Sequence, residues 1–184
     1  EVERELSEYT YRIDDNISGS SKLVICAIDP ISFYDYVLKD APLSIKHKKE
    51  ERSTSGLVFY WGIDTKIPEL GLHNILFSKD YEGEFNTIFK EQKNSLEPTI
   101  YIHISSLLNP NDATENGQNL FVMINTSSID TTDDVYMEKM KQYIIDKIRE
   151  QFKIDIRNHI VTENYWDKAW REALRNIIDQ RGNG

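Results

Sequence analysis

The four histidines and the single cysteine are the first residues to weigh for chemistry. His47, His73, His103 and His159 lie far apart, and no two have the i, i+4 spacing that places paired metal ligands on one helix face. Cys26 has no second cysteine with which to form a ligand pair or a disulfide. It sits within the apolar run Leu23 to Ile28, where a small buried core residue is expected rather than a reactive thiol. No metal site is therefore expected, and a reducing compartment suits the cysteine content. The sequence contains no Gly-x-Ser-x-Gly elbow, so nothing positive points to a hydrolase.

The aromatic residues carry more information. Phe59, Tyr60, Trp61, Phe77, Tyr101 and Phe121 all fall in segments with strand character. Side chains alternate between the faces of a strand, so one face of a sheet packs helices while the other lines an apolar groove. Each of these residues is thus either core or groove lining. Leu57, Phe59 and Trp61 share one face of their strand, and Val58 and Tyr60 share the other. The first set has the greater apolar volume and is expected to be core. His73 opens a second strand, either as a polar group beside the groove or as a surface residue that steadies a turn.

The elements that must position these residues follow from periodicity. Glu3 to Ile13 alternates weakly and reads as a strand. Ser18-Gly19-Ser20-Ser21 has the composition of a turn or linker. Leu23 to Ile28 is a continuous apolar run of the kind a strand buried on both faces needs. Asp29-Pro30 caps a short helix over Ile31 to Leu38, and Ala41 to Arg52 is a charged connection. Leu57 to Trp61, closed by Gly62, pairs with His73 to Ser78 across a turn holding Pro68 and Gly71. A helix from about Glu82 to Glu91 puts Phe85, Ile88 and Phe89 on one face. Strands follow at Thr99 to Ile104 and Leu120 to Ile124, separated by the polar loop Asn109 to Gln118. Asp133 to Phe152 is the clearest helix, with Met137, Met140, Ile144, Ile148 and Phe152 recurring every three or four residues. His159 to Glu163 is a last short strand, and Trp166 to Ile178 has helical spacing. Together these predict an α+β fold: a mixed, mostly antiparallel sheet of five or six strands with helices packed mainly on one face.

One domain over residues 1–184 is long enough to bury a full core. The net charge of -9 argues against nucleic acid as a partner. Lys46-His47-Lys48-Lys49 with Arg52 is the local exception. Flanked by Glu50 and Glu51, it reads either as a solvated loop or as a peripheral contact with anionic membrane lipids. No apolar run approaches membrane-spanning length, and no signal peptide is visible.

The stretch from Ser53 to Ser78 resembles the middle of the carotenoid (phytoene) desaturase family, flavin-dependent oxidoreductases related to the amine oxidases. The positions that carry the likeness are Ser55, Gly56, Leu57, Gly62, Pro68, Glu69, Leu70, His73, Asn74 and Ile75. Downstream, Asp80-Tyr81 with Phe85 and Ile88-Phe89 resembles the family's next helix, and Pro98-Thr99-Ile100-Tyr101 its next strand. Asn109-Pro110, Ala113, Gly117 and Asn119-Leu120-Phe121-Val122 resemble the loop and strand after that. Cys26-Ala27-Ile28-Asp29-Pro30, with Tyr34 and Leu38, is a looser match upstream. The likeness covers about residues 22–165; residues 1–21 and 166–184 do not match.

The resemblance implies a long apolar isoprenoid polyene as substrate and FAD as cofactor in the parent enzyme. The flavin would accept a hydride while a proton leaves the adjacent carbon. The family's Gly-x-Gly-x-x-Gly turn and second glycine-rich segment are absent from this sequence, so the chain itself is expected to bind no FAD. It reads as the substrate-side part of such an enzyme, inactive without the missing flavin-binding domain. The alternative is a stand-alone apolar-ligand or protein-interaction module reusing the domain. Glu1 in place of Met is expected of an excised fragment, and the Ser18–Ser21 segment is either a linker replacing a flavin-domain segment or a natural turn. The parent is expected in the cytoplasm, peripheral to the membrane. A homodimer through the uncovered groove face is also expected.

Overall fold

The computed structural model describes residues 2–5, 8–12, 18–28, 30, 33–34, 53–129 and 133–166. The chain divides into two compact units, 1–52 and 53–184, each described by itself.

In the first unit, β1 (Val2–Glu5), β2 (Glu8–Arg12) and β3 (Ser18–Ser21) form a three-stranded antiparallel sheet in that order. Val2 pairs with Tyr11 and Glu5 with Glu8, so the stretch expected to be one strand is two, folded back on itself. The Ser-Gly-Ser-Ser segment is not a turn; it is a strand whose Gly19 pairs with Tyr11 and Ser21 with Tyr9. A ladder is made of backbone donors and acceptors, so a neighbouring strand in register recruits even residues of weak strand propensity. Leu23 to Ile28 is not the buried strand its composition suggested. Leu23 and Ile25 are largely exposed, and Cys26 is exposed rather than core. An apolar run becomes a strand only where partners flank it, and none pairs with residues 22–28 among the described residues. Phe33 and Tyr34 are helical; the rest of the expected helix and the basic run 46–52 lie outside the described residues.

The second unit holds a five-stranded sheet. Its strands are β4 (Ser55–Ile63), β5 (His73–Leu76), β6 (Ile100–His103), β7 (Gln118–Thr126) and β8 (Ile160–Trp166). Their spatial order is β5-β6-β7-β4-β8, and every pairing is antiparallel. The fold is α+β, as the periodicities predict. The pairing of Leu57–Trp61 with His73–Ser78 is corrected: β4 and β5 are separated by β6 and β7. β4 instead lies between β7 and β8, where nine residues on each side of the β4–β7 ladder outcompete the four-residue β5.

Helix α1 spans Tyr81–Phe89 and α2 spans Asp134–Phe152. Asp80 caps α1 by accepting from the Gly83 amide, and Asp133 caps α2 by accepting from the Tyr136 amide. α2 lays Met140, Ile144, Ile145 and Ile148 against Leu57, Phe59, Trp61, Ile100, Ile102, Leu120, Val122 and Ile124 to form the core. α1 departs from its predicted face. It buries Ile88 with Glu84, whose carboxylate accepts from the Thr99 hydroxyl at 2.7 Å. Tyr81, Phe85 and Phe89 instead form a ladder of ring contacts along the helix, with Tyr81 and Phe89 exposed. Trp166 ends β8 rather than opening a helix, and the remainder of that predicted helix lies outside the described residues. Among the described residues, no helix is long and apolar enough to cross a membrane.

Candidate functional site

Alternation along β4 separates the sheet into two unlike faces. Leu57, Phe59, Trp61 and Ile63 point toward α2 and are buried. Phe59 and Trp61, named as groove candidates, are therefore core. Trp61 also donates its indole N–H to Glu163 of β8 at 3.0 Å, and Lys141 of α2 pairs with the same carboxylate. That contact ties an edge strand to the helix layer.

Among the described residues, no helix buries the opposite face as α2 buries the first: Tyr60 is 45% exposed. The register places two rows of side chains across all five strands of this face. One row runs His73, His103, Phe121, Tyr60, Asn164. The next runs Ile75, Tyr101, Met123, Val58, Trp166. With strands about 4.8 Å apart, each row is about 19 Å long. Ring contacts knit the rows together. Tyr60 meets Phe121 edge-on at 5.5 Å, Phe121 meets Tyr101 at 6.2 Å, and His73 stacks on His103 at 4.9 Å. His73 Nδ1 and the Tyr101 hydroxyl lie 2.7 Å apart and share a hydrogen bond. Val58, with Met123 and Trp166 as its neighbours in the row, is nearly fully buried.

The candidates thus sort by strand parity. Tyr60, His73, Tyr101 and Phe121 come together on the open face; Phe59 and Trp61 do not. Phe77 lies past the end of β5, largely exposed, with its ring edge-on to Tyr81 and beside Lys147 and Glu150 of α2. Sequence reasoning assigned no role to His103, Met123 or Trp166. The first two lie two residues beyond Tyr101 and Phe121, so extending the alternation by one step finds them. Trp166 was hidden by helical spacing in the residues that follow it.

Beyond the first row the face opens into a cleft of about 540 Å³, within the range of small-molecule sites. Tyr60, Phe121 and Val161 supply its apolar lining, and Gly62 leaves a gap between Asn119 and Thr162. His103, Ser105, Asp112 and Thr114 close its far end. A smaller hollow of about 260 Å³, lined by Tyr60, Asn164, Tyr165 and Trp166, continues the trough toward β8. Two short 3-10 turns, Ser105–Leu107 and Pro110–Asp112, carry the far wall. Gly117 permits that loop to return to β7: a Cβ there would lie 2.4 Å from the Ile63 carbonyl oxygen.

Neither the histidines nor the acids build a metal centre: among the described residues, no group of three or more His, Cys, Asp or Glu converges on a point. The described residues also do not fit a flavin dinucleotide. Such a group needs a glycine-rich turn leading from a strand into a helix, typically within a parallel sheet. Here Gly19, Gly56, Gly62, Gly71, Gly83 and Gly117 stand singly, and every described ladder is antiparallel.

The chain matches no family model. It is 40% identical over 142 residues to a 1-hydroxycarotenoid 3,4-desaturase of a Flavobacterium species, covering 77% of this chain and 29% of that protein. It is 28% identical over 160 residues to a 4,4'-diaponeurosporene oxygenase of Staphylococcus haemolyticus, covering 84% and 32%. With a phytoene desaturase of Fusarium fujikuroi it shares 30% identity over 112 residues, covering 61% and 20%. Over the matched region the chain belongs to the carotenoid and phytoene desaturase family. It spans about a third or less of the length of these relatives.

Proposed function

We propose that this chain is the substrate-side part of a flavin-dependent carotenoid desaturase, and that its open sheet face holds a long isoprenoid polyene. The observation that carries this reading is the strip of contacting rings, Tyr60, Phe121 and Tyr101, with His73 bonded to Tyr101, on the face opposite α2. A polyene hydrocarbon offers almost nothing to hydrogen-bond, so its affinity must come from apolar area and shape. A flat face of aromatic side chains supplies both. In this reading FAD is held by the parent enzyme's flavin-binding segments, and it takes up the hydride. This chain's residues position the polyene and exclude water from one side of it. Alone, the chain catalyses nothing. The parent works in the cytoplasm, at the surface of the membrane that dissolves its substrate.

The test is binding. A linear carotene presented in mixed micelles should quench the tryptophan emission of the chain, and Tyr60→Ala and Phe121→Ala should each weaken the titration several-fold. Unchanged titration curves in both variants would sink the assignment of this face.

A further inference from the structure

Among the described residues the five-stranded sheet has two free edges, β5 and β8, and they are built differently. β8 carries Glu163, and its ladder to β4 shifts register at Gly62-Ile63. A charge and an irregularity are common guards against a further strand adding to an edge. β5 has neither. Its ladder to β6 is regular from His73 to Leu76, and the run His73-Asn74-Ile75-Leu76-Phe77 holds no lysine, acid, proline or glycine. The backbone of this run faces two ways. The Leu72 carbonyl accepts from the Ile104 amide at 3.1 Å, and the Ser78 amide donates to the Thr99 hydroxyl at 3.1 Å. Even-numbered residues therefore turn their backbone groups toward β6. His73, Ile75 and Phe77 turn theirs outward, where their amides and carbonyls have no partner among the described residues. The side chains of these three residues are exposed as well.

We propose that this edge is an interface and that its occupant is a second copy of this chain, paired antiparallel about a twofold axis at Ile75. In that register Ile75 lies opposite its own copy, and His73 lies opposite Phe77 of the partner subunit. All the outward residues then sit in hydrogen-bonded pairs, and each pair exchanges two bonds. A slip by two residues leaves one outward residue of each copy unpaired, so the symmetric register satisfies the edge best. The opposed side chains also suit one another. Isoleucine meets isoleucine, an imidazole meets a phenyl ring, and no like charges stand face to face. Beside the edge lies a crevice of about 220 Å³ that is lined by Lys147, Glu150 and Gln151 of α2. It bears one charge of each sign, so against its own copy it is matched rather than repelled. A twofold axis normal to the sheet keeps both α2 helices on one side and both ringed faces on the other. The row through Ile75 and Tyr101 then crosses both copies, a span of about 43 Å at the usual strand spacing. The contact stands on the edge alone and does not rest on the polyene reading.

Amide hydrogen exchange of the intact chain, followed by NMR in dilute and in concentrated solution, reads the alternation residue by residue. Asn74 and Leu76, bonded to β6, should be protected in both. His73, Ile75 and Phe77 should exchange freely when dilute and at least about tenfold more slowly when concentrated. Ile75→Pro removes one outward amide and no bond to β6, and an edge strand tolerates proline at such a position. In this variant the slowing at His73 and Phe77 should disappear. Continued protection of Asn74 and Leu76 would show that β5 itself has survived. Free exchange at His73, Ile75 and Phe77 in concentrated solution would overturn the inference, even in a chain that associates through its rings. Protection independent of concentration would also overturn it, by placing a segment of the same chain on the edge. Slowing that survives in Ile75→Pro would do the same, since the symmetric ladder cannot form without that amide.

Discussion

The two faces of the five-stranded sheet are built from the same strands, often from adjacent residues, yet have opposite fates. On β4, Trp61 is 1% exposed and Tyr60 is 45% exposed. On β7, Leu120 and Val122 disappear beneath α2 while Phe121 and Met123 line the other side. The difference does not lie in apolar content, because both faces are rich in large apolar side chains. It lies in polar equipment. The covered face, aliphatic apart from Phe59 and Trp61, is closed by α2, whose capped start and amphipathic stripe match it. The open face mixes rings with histidines, a tyrosine hydroxyl and an amide-carboxylate cluster at one end. A face intended only for core has no use for such groups, since each polar atom buried without a partner carries a penalty. A face in contact with solvent, or with the ligand proposed above, does.

The sharpest test of this contrast is Trp61→Ala against Tyr60→Ala. Trp61 is enclosed by the core and anchored to Glu163, so its truncation should cost about 3–5 kcal/mol in denaturant unfolding. Tyr60→Ala should leave stability within about 1 kcal/mol, because the ring is half in water already. Similar losses from both would mean that the faces are not distinct. A second large effect belongs to the wall of the cleft. Gly117→Ala places a Cβ 2.4 Å from the Ile63 carbonyl oxygen and 2.6 Å from the Thr114 hydroxyl. Backbone cannot swing aside as a side chain can, so a loss of about 1–3 kcal/mol is expected. An unaltered melting temperature would show that the return of the loop to β7 is not tight.

Much of this was legible in the sequence. The period of two placed Leu57, Phe59 and Trp61 on one face, and the period of three to four identified α2, with Asp133, read as its first residue, turning out to be its cap. The ordered family pieces from Ser55 to Val122 survive as β4, β5, α1, β6 and β7. Strand order did not emerge, because β4 meets β7 across more than fifty residues and nothing local encodes that pairing. The exposed run Leu23 to Ile28 shows the reverse limit: apolar content alone does not supply a ladder partner. The polar end of the cleft was invisible for a similar reason. Ser105 and Asp112 of the two 3-10 turns and Asn119 of β7 converge only when those turns fold over β7.

Removing rings from the open face should affect association more than folding. The face left exposed among the described residues is expected to pair two chains, so light scattering should show a dimer whose population falls in Tyr60→Ala and Phe121→Ala. A strictly monomeric wild type at high concentration would rule out this pairing.

The smallest expected effect lies at the margin of the covered face. Burial, with the nearby Glu97, Glu84 and Glu150 carboxylates adding to it, raises the Tyr143 hydroxyl from its ordinary value of 10.0 to about 12. The hydroxyl donates to the Pro98 carbonyl at 3.3 Å, a bond that only the protonated form can make. In the unfolded chain the phenol loses its proton near pH 10; in the folded chain it holds that proton until about pH 12. Between these values the folded state binds more protons than the unfolded one, so stability falls as pH rises. The contribution is fully present below pH 10 and is lost by pH 12. Tyr143→Phe has no such proton to lose. Plotted against pH, the stability difference between wild type and Tyr143→Phe should be level up to about pH 10 and then move steadily in favour of the variant. A difference that stays level through pH 12 would mean that α2 does not shield Tyr143, and that the covered face is more open at this edge than its neighbours indicate.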